Sequence, residues 1–332
     1  MRRISVAALA VFLVASVVTG AAAQDKVAFA TNWLAQAEHG GFYQAVADGT
    51  YAEYGLDVTI LQGGPQTQGR ALLAAGQVQF YMGVATGALN ALEQGIPTVT
   101  LASLFQKDPQ VLMAHPGRFE SFAELAGASR YILSATGLAS YFAWMESEWP
   151  EFSEDKYEPY QFNPAAFLAD ENAIQQGYLT SEPLAIERAA GFTPDVWLLA
   201  DEGYRPYSTT IEVMKPWLDE HRDIARRFVE ASIIGWYNYL YGDNAGANAL
   251  IQADNPEMSD EQIARSIEAM KAHGIVVSGD AETHGIGCMT DEGWTSFYEA
   301  MVAAGVYEAG LDVSQAYTIE FVCHGFGMDL VR

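Results

Sequence analysis

From residue 27 onward the chain alternates short apolar runs with amphipathic stretches, and this alternation sets the elements. Residues 27–31 and 56–61 read as strands, the second rich in β-branched Val58, Thr59 and Ile60. Between them Phe42, Ala45, Val46 and Tyr51 recur at near-helical spacing, which predicts a helix over 41–53 stopped by Gly55. Gly63-Gly64-Pro65 breaks the second strand, and a helix over 67–75 ends at Gly76. Strand 78–82, helix 86–94 and strand 97–102 continue the rhythm. Strand, helix, strand at this pitch argues for a parallel sheet in an α/β domain.

The rhythm then breaks and resumes. Residues 110–114 read as a strand leaving the first domain, with His115-Pro116-Gly117 as a crossing. A second α/β set follows, with strands over 131–134, 158–162, 173–178 and 196–200 and helices over 137–148, near 165–170 and after Pro183. Gly203-Tyr204-Arg205-Pro206 reads as the return crossing. From Thr209 the chain turns mostly helical, most clearly over 223–240, 259–273 and 291–304. Two α/β halves joined by two crossings predict a clam-shell with lobes 24–114 plus 208–332 and 115–207. Ligand is then expected in the crevice at the carboxyl ends of the strands.

The first 23 residues differ from all of this. Arg2 and Arg3 precede an uncharged, mostly apolar run over 4–18, and the segment closes on Ala21-Ala22-Ala23. That is the layout of a cleavable secretory signal, and its apolar run is shorter than the roughly 20 residues a bilayer span needs. No cysteine stands at the expected cut, so a lipid anchor there is unsupported. Cleavage would leave about 309 residues, enough for two modest domains. The sequence carries 42 acidic against 17 basic side chains, a net charge of −25 that falls to about −27 without Arg2 and Arg3. Such a field repels phosphate backbones and anionic lipid, which excludes nucleic acid as a partner and favours a neutral or cationic ligand. Cys288 and Cys323 admit a disulfide, unpaired thiols, or a zinc set with His284 and His324; adjacent Cys323 and His324 would point apart on a strand, which counts against the metal.

Several residues fall where a crevice would lie. Asn32 and Trp33 follow the first strand, offering amide hydrogen bonds and a broad apolar face; the polar Asn32 beside it favours Trp33 in the site over the alternative of a core anchor. Glu38, His39 and Tyr43 come from the next loop and helix start, where Gly40-Gly41 would let backbone approach a ligand closely; His39 can also cap that helix. Gly83 and Thr86 bracket a strand-to-helix turn with free backbone N–H groups, and Ser134, Thr136 and Ser140 mark a similar turn in the other half. Ordinary capping accounts for both turns as well. Glu182, between Ser181 and Pro183, is the charged candidate for holding an amino-substituted heterocycle, and Tyr207 beside the return crossing would close the cleft.

The stretch 31–58, with Asn32-Trp33, Glu38-His39-Gly40-Gly41-Phe42-Tyr43 and Tyr54-Gly55-Leu56-Asp57-Val58, resembles the opening of periplasmic binding proteins for nitrogenous heterocycles, taurine, sulfonates and nitrate. The likeness continues through 76–83, Phe105-Gln106-Lys107-Asp108-Pro109 and 177–183, and is greatest to the branch that binds pyrimidine precursors of thiamine. The resemblance implies a type II periplasmic binding fold and a monomer without cofactor or metal. It also implies a cleft that includes Phe105, and an importer permease with its ATPase as partners. It ranks a thiamine-type pyrimidine first, riboflavin or another aromatic nitrogen compound second, and a sulfonate, taurine or nitrate third. Few basic residues stand near the cleft to hold an anion; Lys107 and Arg70 are the candidates. The same superfamily includes pyrimidine synthases with a pyridoxal-phosphate lysine and a sacrificial histidine, and the matching positions here are Ala85 and Leu89. Neither can do that chemistry, no Walker A, G-x-S-x-G or H-E-x-x-H motif is present, and a binding protein rather than an enzyme is expected. An exported interaction module is the remaining alternative, and it would need a large apolar surface patch.

Overall fold

The strand-forming segments sort into two sheets that follow one plan. The computed structural model describes residues 23–64 and 67–331; the expected leader, apart from Ala23, and Pro65 lie outside them. Ten strands are described: β1 (Asp25–Ala30), β2 (Leu56–Leu61), β3 (Phe80–Val84), β4 (Thr98–Phe105), β5 (Gln110–Ala114), β6 (Tyr131–Leu133), β7 (Tyr157–Pro159), β8 (Ile174–Tyr178), β9 (Asp195–Leu198) and β10 (Ser208–Met214). The first sheet runs β2-β1-β3-β10-β4 and the second β7-β6-β8-β5-β9. In each, the second, first and third strands of that half lie side by side. The next place is taken by the strand that has just arrived from the other half, β10 or β5, which runs antiparallel to both neighbours.

Two expectations change here. Residues 110–114 do not leave the first domain: β5 is already paired with β8 and β9, so the first crossing is 106–109 and not His115-Pro116-Gly117. The helical region expected from Thr209 begins with β10, a fully integrated strand carrying buried Glu212. The return crossing runs through 203–207.

Helices are also cut more finely than their apolar spacing suggests. The helix expected over 41–53 is two, Gly40–Ala47 and Thr50–Glu53, because Asp48 accepts hydrogen bonds from the Thr50 N–H and hydroxyl and Gly49 turns the chain at φ 81°. The one over 137–148 carries a wide turn at Leu138–Phe142 before continuing over Ala143–Glu148. Strand 158–162 shortens to β7, which frees Tyr160 and Phe162 for the loop beyond it.

The first sheet packs on the long helix Arg222–Tyr241, where Phe228 stacks on Phe80 (3.9 Å between centroids) and on Tyr51 (5.3 Å). Each such ring removed from water contributes about 1.5–3 kcal/mol. A Cβ on Gly40 would sit 2.0 Å from the Tyr239 ring and one on Gly41 2.2 Å from Trp236. This glycine pair therefore lets two helices touch and does not serve ligand approach. Cys288 and Cys323 are joined as a disulfide, which answers the three-way question the sequence left open.

Candidate functional site

Between the sheets lies a cavity of about 220 Å³. The first half supplies Asn32 and Trp33 from the loop after β1. That loop is pinned by the Thr31 hydroxyl, which donates to the Trp33 carbonyl (2.8 Å), and by the Gly63 N–H, which donates to the same carbonyl (2.9 Å). The turn Ala37–His39 adds Glu38 and His39, β3 adds Met82, and β10 adds Thr209. The second half supplies Gln110 from β5, Gln176 and Tyr178 from β8, Ser181 and Glu182 from the start of helix Glu182–Ala190, and Tyr160 and Phe162 from the loop after β7.

The halves touch across this space. The Thr180 hydroxyl donates to Glu38 Oε1, and the Trp33 ring lies 5.8 Å from Phe162, which in turn lies 5.2 Å from Tyr160. Phe162 is 61% exposed and has φ 58°. Among the described non-glycine residues three have positive φ, and two of them, Phe162 and Thr209 (φ 47°), line this cavity. Such backbone costs of order 1–3 kcal/mol and gathers where function holds it in place.

The electrostatics are acidic. Burial pushes Glu38 up from its usual value to about 7, a rise opposed by the Thr180 hydrogen bond and helped by nearby Glu182. Burial pushes His39 down to about 3, so its ring is neutral, and its Nδ1 has no hydrogen-bond partner. Glu182 accepts from the Tyr178 N–H (2.7 Å) and the Ser181 hydroxyl (2.5 Å), fixing its carboxylate at the wall. No lysine or arginine is among the described lining residues. The two basic candidates are committed elsewhere. Lys107 pairs with Asp201 (2.6 Å), and Arg70 faces buried Glu212, with Nη2 2.9 Å from Oε1.

Of the thirteen expected binding residues, five meet here: Asn32, Trp33, Glu38, His39 and Glu182. The other eight do not line the cavity. Tyr43 donates its hydroxyl proton to Asp254 (2.7 Å), tying two helices together. Gly83 makes room for Glu212, whose Oε1 would stand 1.8 Å from an added Cβ. The Thr86 carbonyl accepts from Tyr307, and Phe105 is wholly buried against Trp236 (5.3 Å). Ser134 caps the Gly137 N–H (3.0 Å), while Ser140 donates to the carbonyl of exposed Thr136 (2.7 Å). Tyr207 is no lid; it donates to Asp280 (2.9 Å) and accepts from the Thr290 N–H (2.9 Å). Among the residues missed were Gln110, Tyr160, Phe162, Gln176, Tyr178 and Thr209. A usable signal lay in β8, where Gln175-Gln176-Gly177 occupies a central buried strand that propensity would fill with β-branched residues.

Three known proteins show what the chain is similar to. The riboflavin-binding protein RibY of Chloroflexus aurantiacus is 26% identical over 323 residues, spanning 91% of this chain and 87% of RibY. The periplasmic aliphatic sulphonate binding protein SsuA of Escherichia coli superposes with TM-score 0.61 at 11% identity, over 88% of this chain and 91% of that one. The desulfurization enzyme DszB superposes with TM-score 0.58 at 13% identity, over 93% and 100%. These superpositions and the sheet order make the architecture the periplasmic binding protein fold, which carries both binding proteins and an enzyme. Residues 36–243, more than half of the sequence, match the family described as NMT1/THI5 like, and the chain belongs to it.

Proposed function

We propose that this protein is the solute-binding component of an ABC importer, working outside the cytoplasm and closing its two lobes on an uncharged, planar nitrogen heterocycle. The observation that carries the reading is the cavity wall: aromatic faces from both lobes, amides and two carboxyl groups, with no lysine or arginine among the described lining residues. A ring slipped between Trp33 and the Tyr160–Phe162 pair would contact both lobes at once, which is the differential affinity that closure requires. Glu38, which holds its proton up to about pH 7, can donate to a ring nitrogen, while the Glu182 carboxylate and the Asn32 and Gln110 amides can take ring N–H or amino protons. The thiamine-type pyrimidine favoured by the sequence and the flavin suggested by the likeness to RibY both present such edges. A sulfonate, taurine or nitrate would face two carboxyl groups with no positive partner. Binding rather than catalysis is supported by Ser181, whose hydroxyl is given to Glu182 and not to an imidazole, and by Ala85 and Leu89, which carry no reactive group. No helix of the described residues is long and apolar enough to cross a membrane. The partners in this reading are a permease and its ATPase.

The test is calorimetry with an aminopyrimidine, riboflavin, taurine and nitrate on the leaderless protein. At least one heterocycle should bind in the micromolar range or tighter. Binding of taurine or nitrate alone would overturn the proposal.

A further inference from the structure

The cavity has a neighbour. A second chamber of about 270 Å³ shares Trp33, Glu38, Tyr160, Phe162 and Glu182 with the first and extends past them between helix Glu182–Ala190 and helix Asp260–Ala272. Successive side chains on a strand point to opposite faces, so β8 sends Gln176 to one chamber and Gln175 to the other. Their situations differ. The Gln176 amide oxygen is spent, accepting from the Ser134 N–H (2.5 Å) and the Tyr141 hydroxyl (2.9 Å). Gln175 is wholly buried, and neither its amide nitrogen nor its amide oxygen has a partner.

Three other polar side chains of the second chamber do not explain Gln175, because their donors serve the fold. Gln262 and Ser266 both donate to the Thr180 carbonyl (2.9 and 2.6 Å), and Asn255 donates to the Ala35 carbonyl (2.8 Å). A buried amide with both functions open calls for a partner, and a bound molecule can supply one. We infer that the binding site is bipartite, and that the second chamber takes an uncharged, hydroxyl-bearing chain attached to the ring held in the first. This rests on the heterocycle reading above and narrows it. A hydroxyl gives and accepts, and so can satisfy either end of the Gln175 amide; an ammonium would satisfy only its oxygen. An anionic chain would meet Glu38, Glu182 and Glu257 with no lysine or arginine among the described lining residues.

Riboflavin, lumiflavin and flavin mononucleotide separate the possibilities, since they share the isoalloxazine ring and differ in the chain on it: a polyol, a methyl group, and a phosphorylated polyol. By calorimetry, riboflavin should bind at least 10-fold tighter than lumiflavin and at least 10-fold tighter than the mononucleotide. Ala185→Phe, at an exposed lining position of the second chamber, should erase riboflavin's advantage while leaving lumiflavin unchanged, and Gln175→Leu should do the same in part. Equal affinity of wild type for riboflavin and lumiflavin would overturn the bipartite site while leaving the heterocycle reading intact. Equal affinity for riboflavin and the mononucleotide would overturn the uncharged chain. No binding by any of the three or by an aminopyrimidine would remove both readings together.

Discussion

β3 and β8 hold the same place in their sheets, each third in its half and each beside the strand that arrives from the other half, yet they carry opposite chemistry. β3 reads Phe-Tyr-Met-Gly-Val and buries Phe80 in a stack with Phe228; β8 reads Ile-Gln-Gln-Gly-Tyr and buries two amides. The first spends its position on packing and gives the cleft only Met82. The second gives up packing and lines both chambers. Topology thus decides where a crevice forms, and a few side chains on one strand decide what it can hold.

The largest test of that contrast is Phe80→Ala. Removing a stacked core ring should cost about 3–5 kcal/mol of unfolding free energy in a urea titration, with ligand affinity unchanged below the transition. Equal damage to affinity would show that the Phe80 packing shapes the site as well as the core. Next is pH. The folded chain holds a proton on Glu38 up to about pH 7, whereas the unfolded carboxyl loses it near 4.5, so this group's contribution falls as pH rises through that window, by about 3 kcal/mol. His39 acts with the opposite sign, adding stability as pH rises from about 3 to 6.5. The two oppose each other between about 4.5 and 6.5. Glu38→Gln should uncover the rising limb, seen as an unfolding midpoint that climbs steadily to about pH 6.5, and a profile identical to wild type would count against the buried Glu38.

A smaller effect, confined to binding, is expected of Trp33→Ala. Loss of one aromatic wall should weaken a heterocycle by about 2 kcal/mol, or about 30-fold, with little change in unfolding. Smallest is Phe162→Gly. Relief of the left-handed backbone should raise stability by about 1 kcal/mol while loosening the ligand a few-fold, and a fall in stability would mean that the ring anchors the loop.

The α/β rhythm, the return crossing region and most strands were legible because apolar runs and glycine stops are local signals. β10 was not, although Thr209, Thr210, Ile211 and Val213 are β-branched, because Glu212 interrupts the pattern and its partner Arg70 is distant in sequence. In the site, Asn32, Trp33 and Glu182 were visible as polar or aromatic residues at element ends. Gln110 and Gln176 were not, since amides inside a strand look like errors of pattern until the opposite lobe is in place. Tyr207 failed for the same reason in reverse: its partner Asp280 lies 73 residues on, and nothing near Tyr207 announces it.

The plan by which each sheet borrows a strand also orders the birth of the molecule. β3 and β4 are synthesised well before β10, which must enter between them. Once the first 200 residues are made, the second sheet has all its strands, while the first still lacks the one that fills the fourth of its five places. Non-local insertion of that kind is slow. The first sheet stays open until β10 has been made.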